Sequence, residues 1–99
     1  MTEKAYLMRV AEYFDARARN GFAEPIEMDQ AHAAREAFVR ARLQQGQSYL
    51  DIGCGNGYSV RWACKVHSSV EGYGLDLSTE MIRRARELSY QVPNARFIH

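Results

Sequence analysis

The chain has 99 residues, of which 46% are hydrophobic and 25% are charged, with only two prolines. This is the composition of one compact globular domain, and it excludes a disordered tail or a repeat array. The 13 Lys and Arg residues against 12 Asp and Glu residues leave a net charge of +1, so charge favours neither nucleic acid nor an anionic membrane as a partner.

Two helices are predicted in residues 1–46. The first runs from about Glu3 to Arg19 and stops at Asn20-Gly21, and the second runs from an N-cap at Asp29 to about Gln45, with Gly46 as its stop. Apolar residues recur at helical spacing in both. The residues expected to face inward are Tyr6, Leu7, Val10, Tyr13, Phe14 and Ala18 in the first helix and Ala34, Phe38, Ala41 and Leu43 in the second.

Strands and helices alternate in residues 47–99. Strands are predicted at Ser48–Ile52, at about Glu71–Leu75 and from Ala95 to His99. The helices between them are predicted at about Tyr58–His67 and from an N-cap at Ser78 to about Tyr90. This alternation is typical of an α/β fold with a parallel sheet.

A glycine-rich loop, Gly53-Cys54-Gly55-Asn56-Gly57, directly follows the first predicted strand and opens a helix. Glycines let the backbone turn sharply and approach a ligand closely, and the helix N-terminus presents unpaired N–H groups. Asp76 ends the second strand 19 residues after Gly57, where a carboxylate can accept both hydroxyls of a ribose. The pattern indicates a ligand that contains adenosine.

The glycine spacing distinguishes between adenosine ligands. A dinucleotide loop has the spacing G-x-G-x-x-G, whereas here the third glycine comes one residue earlier and Asp51 precedes the first glycine by two residues. A carboxylate at this place would repel a pyrophosphate and suits a cationic ligand. S-adenosylmethionine, with its ammonium and sulfonium groups, is such a ligand.

Two motifs resemble those of the class I S-adenosylmethionine-dependent methyltransferases. Leu50–Gly57 closely matches the family's first motif, and Gly74–Ser78, followed by Met81-Ile82 and Ala85-Arg86, is similar to its ribose-binding turn and the next helix. The resemblance covers about Tyr49 to His99. It implies a Rossmann-like parallel sheet in the order 3-2-1, with helices on both faces and preceded by two helices. The cofactor-binding residues that it implies are Asp51, Gly53, Cys54, Gly55, Gly57, Asp76, Leu77 and Met81.

Roles follow from the same resemblance. Gly53 and Gly55 would pass close to the methionine portion of the cofactor, with Asp51 near its ammonium group. Asp76 would bind the ribose, and Leu77 and Met81 would contact the adenine. Residues 1–46 resemble a lid, and residues 47–99 look like the first half of a seven-stranded domain whose later strands and substrate pocket would lie beyond His99. The chain therefore looks truncated.

The expected function is methyl transfer from S-adenosylmethionine to a small-molecule acceptor. No residue of this segment is predicted to be a general base; His99, at the ligand end of the third strand, is the first histidine to check, and Cys54 is expected to be inert. Two alternatives remain open, a fragment of a nicotinamide-dependent oxidoreductase and a non-catalytic fragment that binds a partner. The exposed edge of the first strand could also join two copies of the chain.

The remaining features concern location and metals. No apolar stretch is long enough for a signal peptide or a membrane span. Cys54 and Cys64 are too few for a disulfide scaffold, and neither has a Cys or His at zinc-ligand spacing. We therefore predict a cytoplasmic protein without a metal site.

Overall fold

The computed structural model describes residues 2–19 and 30–99. In chain order the elements are α1 (Glu3–Arg17), α2 (Gln30–Arg40), β1 (Ser48–Ile52), α3 (Tyr58–Val66), β2 (Glu71–Leu75), α4 (Thr79–Leu88) and β3 (Ala95–Ile98). The helix stop predicted at Asn20-Gly21 and the N-cap predicted at Asp29 lie outside the described residues. None of the described helices is long and apolar enough to cross a bilayer.

The three strands form one parallel sheet with β2 in the centre. Ser48 of β1 is opposite Glu71, and the pairing continues in register to Ile52 opposite Leu75. The α/β fold and the 3-2-1 strand order are confirmed. Because the strands are parallel and in register, β1 and β2 end side by side, so the glycine loop and Asp76 leave the same edge of the sheet.

Glycines in β2 allow α3 to pack close to the sheet. A Cβ atom on Gly72 would lie 2.5 Å from the Cys64 sulfur, and one on Gly74 would lie 2.7 Å from the Cys54 sulfur. The core between this face and the helices is formed by Cys54, Val60, Cys64, Ile82, Ala85, Val92 and Phe97. As predicted, α4 is capped by the Ser78 hydroxyl, which accepts a hydrogen bond from the Met81 N–H group at 3.1 Å.

The expectation of helices on both faces of the sheet does not hold for the described residues. Both α3 and α4 pack on the face that carries Gly72, Gly74 and Phe97. The reason is topological, because each strand is added on the same side of the previous one and right-handed crossovers then place both helices on one face. The side chains of Leu50 and Ile52, on the opposite face, are 56% and 78% exposed.

The two N-terminal helices do not bury the apolar stripes predicted for them. Helix α1 has no buried residue, and the stripe members Tyr6, Leu7, Tyr13 and Phe14 are exposed. Phe38 of α2 is 58% exposed and lies under the Arg42 guanidinium, and α2 ends at Arg40 instead of near Gln45. Among the described residues, α1 packs mainly against α4 and α2 against α3, at the edge of the core instead of within it.

Candidate functional site

A cavity of about 600 Å³ opens where β1 and β2 end. The carboxyl ends of parallel strands are where open α/β sheets bind their ligands. The cavity is lined by residues 51–56, by the turn after β2 and by residues of the N-terminal helices. Helix α1 contributes Val10, Phe14 and Arg17, and α2 contributes Arg35.

The start of the glycine loop is bonded to the end of β2. The N–H groups of Gly53 and Cys54 both donate to the Leu75 carbonyl, at 2.8 and 2.9 Å. Gly53 has a φ of +78° and Gly55 a φ of +55°, a region that residues with a side chain rarely adopt. A Cβ atom at either position would meet no atom of the described chain within 4 Å. The backbone is therefore turned toward open space, where a ligand can approach it.

Asp76 is fixed by two backbone donors. Its Oδ2 accepts from the Gly55 N–H at 2.8 Å, and its Oδ1 accepts from the Ser78 N–H at 2.9 Å. An ionised carboxylate offers about four lone-pair directions, so each oxygen keeps one for a further donor. The half-buried carboxylate lines the cavity, and its remaining acceptor positions are available to a pair of hydroxyl groups.

Asp51 lies at the carboxyl end of β1 and lines the same cavity. Its Oδ2 accepts a hydrogen bond from the Ser59 hydroxyl, in the first turn of α3. The carboxylate is half-buried, which strengthens its attraction for a cation relative to a fully exposed acid. The cavity thus has an acidic group at the end of each of its two strands.

Gly57 and Cys54 pack against the core of the described residues. Gly57 does not line the cavity; it is the N-cap of α3 with a φ of +81°, and a Cβ atom there would lie 2.5 Å from the Phe97 ring. Cys54 lines the cavity with a buried side chain. Burial, together with the nearby carboxylates of Asp76 and Asp51, raises the pKa of the Cys54 thiol to about 12, so the thiol stays protonated at neutral pH.

The structure brings most of the predicted site residues together. Asp51, Gly53, Cys54, Gly55, Asp76, Leu77 and Met81 all line one cavity, and Gly57 lies behind it. His99 also lines the cavity, but its Nε2 is 2.9 Å from the Leu77 carbonyl oxygen and 3.2 Å from the Thr79 hydroxyl. These contacts place the ring against the turn that follows β2.

The sequence did not predict the cavity residues of the N-terminal helices or the side chain that holds the glycine loop in place. Arg17 and Arg35 line the cavity from α1 and α2, and no motif marks them. Arg61, only 9% exposed, donates to the Asn56 carbonyl and to the Ser89 hydroxyl, and so ties the loop to the end of α4. Burial lowers the pKa of its guanidinium. The position of Arg61 in the middle of the mostly apolar helix Tyr58–Val66 was the sequence feature that could have indicated a buried, hydrogen-bonded arginine.

Comparison with known proteins agrees with this geometry. The family model of the methyltransferase domain matches residues 50–99. A trans-aconitate 2-methyltransferase of Azoarcus sp. (strain BH72) is 33% identical over 64 residues, which are 65% of this chain and 25% of that protein. The chain spans about a quarter of the length of the curated relatives it matches.

Solved structures show the same similarity. The methyltransferase component of a complex with the Haloferax volcanii Trm112 methyltransferase activator has a TM-score of 0.68 and 30% identity, over 86% of this chain and 37% of that one. A Thiobacillus denitrificans methyltransferase in complex with S-adenosylhomocysteine has a TM-score of 0.56 and 28% identity, over 67% of this chain and 28% of that one. The family predicted from the two motifs is confirmed, and this chain belongs to the class I S-adenosylmethionine-dependent methyltransferases.

Proposed function

We propose that this chain forms the cofactor-binding part of an enzyme that transfers a methyl group from S-adenosylmethionine to a small-molecule acceptor. The observation that carries the proposal is the Asp76 carboxylate, held by the N–H groups of Gly55 and Ser78 at the end of β2. It faces a cavity that is also bounded by Asp51 and by glycines with positive φ.

The residues present fit the cofactor. The free acceptor positions of Asp76 suit the two ribose hydroxyls, and the carboxylate of Asp51 suits an ammonium group. Leu77 exposes 46% of its surface next to Met81, which provides an apolar contact for a flat base. The open space beside Gly53 and Gly55 leaves room for the methionine portion to lie against the backbone.

Two arginines extend the charge pattern of the cavity. Arg17 and Arg35 line it from the N-terminal helices, and guanidinium groups bind carboxylates well. The cofactor itself carries one carboxylate, and an acidic acceptor would carry another. The similarity to trans-aconitate 2-methyltransferases supports a small acid as the acceptor.

The chemistry requires mainly binding and orientation. When bound, S-adenosylmethionine supplies a methyl group on a sulfonium, which is already an activated electrophile. The task of this chain is to hold that group in one position, with Asp76 and Asp51 at two ends of the ligand and α1 limiting the access of water.

The location proposed for the protein is the cytoplasm. The buried thiols of Cys54 and Cys64 are both free, which supports a reducing compartment.

A binding measurement on the full-length protein tests the proposal. Isothermal titration calorimetry with S-adenosylhomocysteine should show binding at one site, and NAD at the same concentrations should show none. The reverse result would support a nicotinamide-dependent oxidoreductase and would overturn the proposal. With binding established, transfer of a labelled methyl group to a panel of small acids and to their methyl esters would identify the acceptor class.

A further inference from the structure

A hydrogen-bonded contact joins α1 to the first turn of α4. The Asp15 Oδ1 atom accepts from the Ser78 hydroxyl and, at 3.1 Å, from the Glu80 N–H group. Ser78 and Glu80 lie 63 and 65 positions after Asp15 in the chain. The Asp15 carboxylate therefore satisfies a helix N–H group that has no partner within α4 and lies at the positive end of the helix dipole.

The contact continues to the residues of the cofactor site. Ser78, whose hydroxyl bonds to Asp15, donates its N–H to the Asp76 carboxylate. That carboxylate accepts in turn from the Gly55 N–H of the glycine loop. Ser78, at the centre of this line of hydrogen bonds from α1 to the loop, is fully buried, which strengthens the hydrogen bonds that it makes itself.

Helix α1 lies on the surface of the described part of the chain. It has no buried residue, and the ion pair between Arg19, just beyond the helix, and Glu80 spans 4.0 Å with the Arg19 side chain 60% exposed. Exposed ion pairs of this kind contribute little. The same helix places Val10, Phe14 and Arg17 on the cavity, so whatever holds α1 in place also determines how far the cavity is closed.

We propose that Asp15 is a positioning residue of the cofactor site: its carboxylate latches α1 to the first turn of α4 and thereby slows the departure of the bound cofactor. This inference rests on the proposed function. In the absence of the latch, α1 moves away from the turn that carries Asp76 and Leu77. The ligand then leaves through the opened side of the cavity.

The test compares three variants of the full-length protein. Asp15→Ala removes the acceptor, Asp15→Asn keeps an acceptor oxygen without the charge, and Glu12→Ala changes an exposed acid on the same helix that does not line the cavity. Stopped-flow measurement should show S-adenosylhomocysteine leaving Asp15→Ala about tenfold faster than the parent protein, as expected for a lost capping interaction. Asp15→Asn should change this rate by less, and Glu12→Ala should leave it unchanged.

A second measurement needs no ligand. Hydrogen exchange of the α1 amides should be faster in Asp15→Ala than in Glu12→Ala, while the β2 amides keep their protection. Unchanged exchange of the α1 amides in Asp15→Ala would show that Asp15 does not hold the helix, and would overturn the proposal. Faster exchange of these amides with an unchanged rate of ligand dissociation would also overturn it, because Asp15 would then hold the helix without affecting the ligand. If Asp15→Ala does not fold, Asp15→Asn carries the same two measurements. Failure of the parent protein to bind S-adenosylhomocysteine would instead overturn the proposed function, and this inference with it.

Discussion

Three glycines in the loop after β1 share a positive φ but differ in their surroundings. Gly53 and Gly55 have open space where a Cβ atom would be, whereas the same atom on Gly57 would strike the Phe97 ring. Gly57 is thus needed for the close approach of the loop to β3, whereas Gly53 and Gly55 leave open space beside the backbone, where a ligand can approach. The sequence predicted Gly53 and Gly55 next to the ligand but did not predict the packing role of Gly57.

Gly55→Ala should separate binding from backbone strain. At a φ of +55° an alanine costs about 1–2 kcal/mol, and its methyl group would occupy the open space beside the loop. Gly46 is a matched control, since it has a φ of +79° and open space of its own but does not line the cavity. Both variants should lose similar stability in urea unfolding. Only Gly55→Ala should lose affinity for S-adenosylhomocysteine. If Gly55→Ala and Gly46→Ala bind it equally well, the glycine loop is a turn that does not contact the ligand.

Asp76→Ala should weaken binding of S-adenosylhomocysteine, by about 1.5–3 kcal/mol for each charge-assisted hydrogen bond that is lost. The substitution also removes the acceptor of the Gly55 and Ser78 N–H groups, so stability must be measured alongside affinity. A ligand analogue without ribose hydroxyls provides the control. If Asp76→Ala weakens calorimetric binding of both ligands equally, the ribose assignment is wrong and the carboxylate acts only on the loop.

For the helices and strands, the sequence predicted the parts whose signals are local. The bounds of β1 and β2 and the N-cap at Ser78 are confirmed, because turn glycines and a capping serine act within a few residues. The exposure of the α1 stripe was not predicted, since periodicity shows that a helix has an apolar side but not whether anything covers it. The inclusion of Arg17 and Arg35 in the cavity depends on helix docking, which no local pattern encodes.

Helix α3 supports the loop through one buried side chain, and Arg61→Ala should expose that dependence. The guanidinium donates to the Asn56 carbonyl and the Ser89 hydroxyl, so its removal leaves both without this donor and leaves a void. We expect a loss of about 2–4 kcal/mol in the free energy of unfolding in urea. Lys65→Ala, an exposed position on the same helix, should have no measurable effect. Equal stability of the two variants would show that the loop is held in another way.

Within the described residues, one of the two faces of the sheet is uncovered. Helices cover one face, and the side chains of Leu50, Ile52 and Ile98 remain at least half exposed on the other. Within the described residues, β1 pairs only with β2. Apolar side chains on an open parallel sheet are unusual, because parallel sheets are normally covered on both faces. The pattern agrees with the chain spanning about a quarter of its curated relatives.

The last prediction concerns residues 1–99 prepared alone. We expect no methyl transfer and weak binding of S-adenosylhomocysteine, because the lone sheet exposes both its bare face and the β1 edge, and such an edge pairs readily with a second copy. In hydrogen exchange, the amides of Tyr49–Ile52 that point away from β2 should exchange fast in any monomer. Amides bonded between β2 and β3 serve as the internal control. Light scattering should show association that grows with protein concentration. A monomer with protected amides throughout β1 would contradict this prediction, because the β1 edge would then already be covered within residues 1–99.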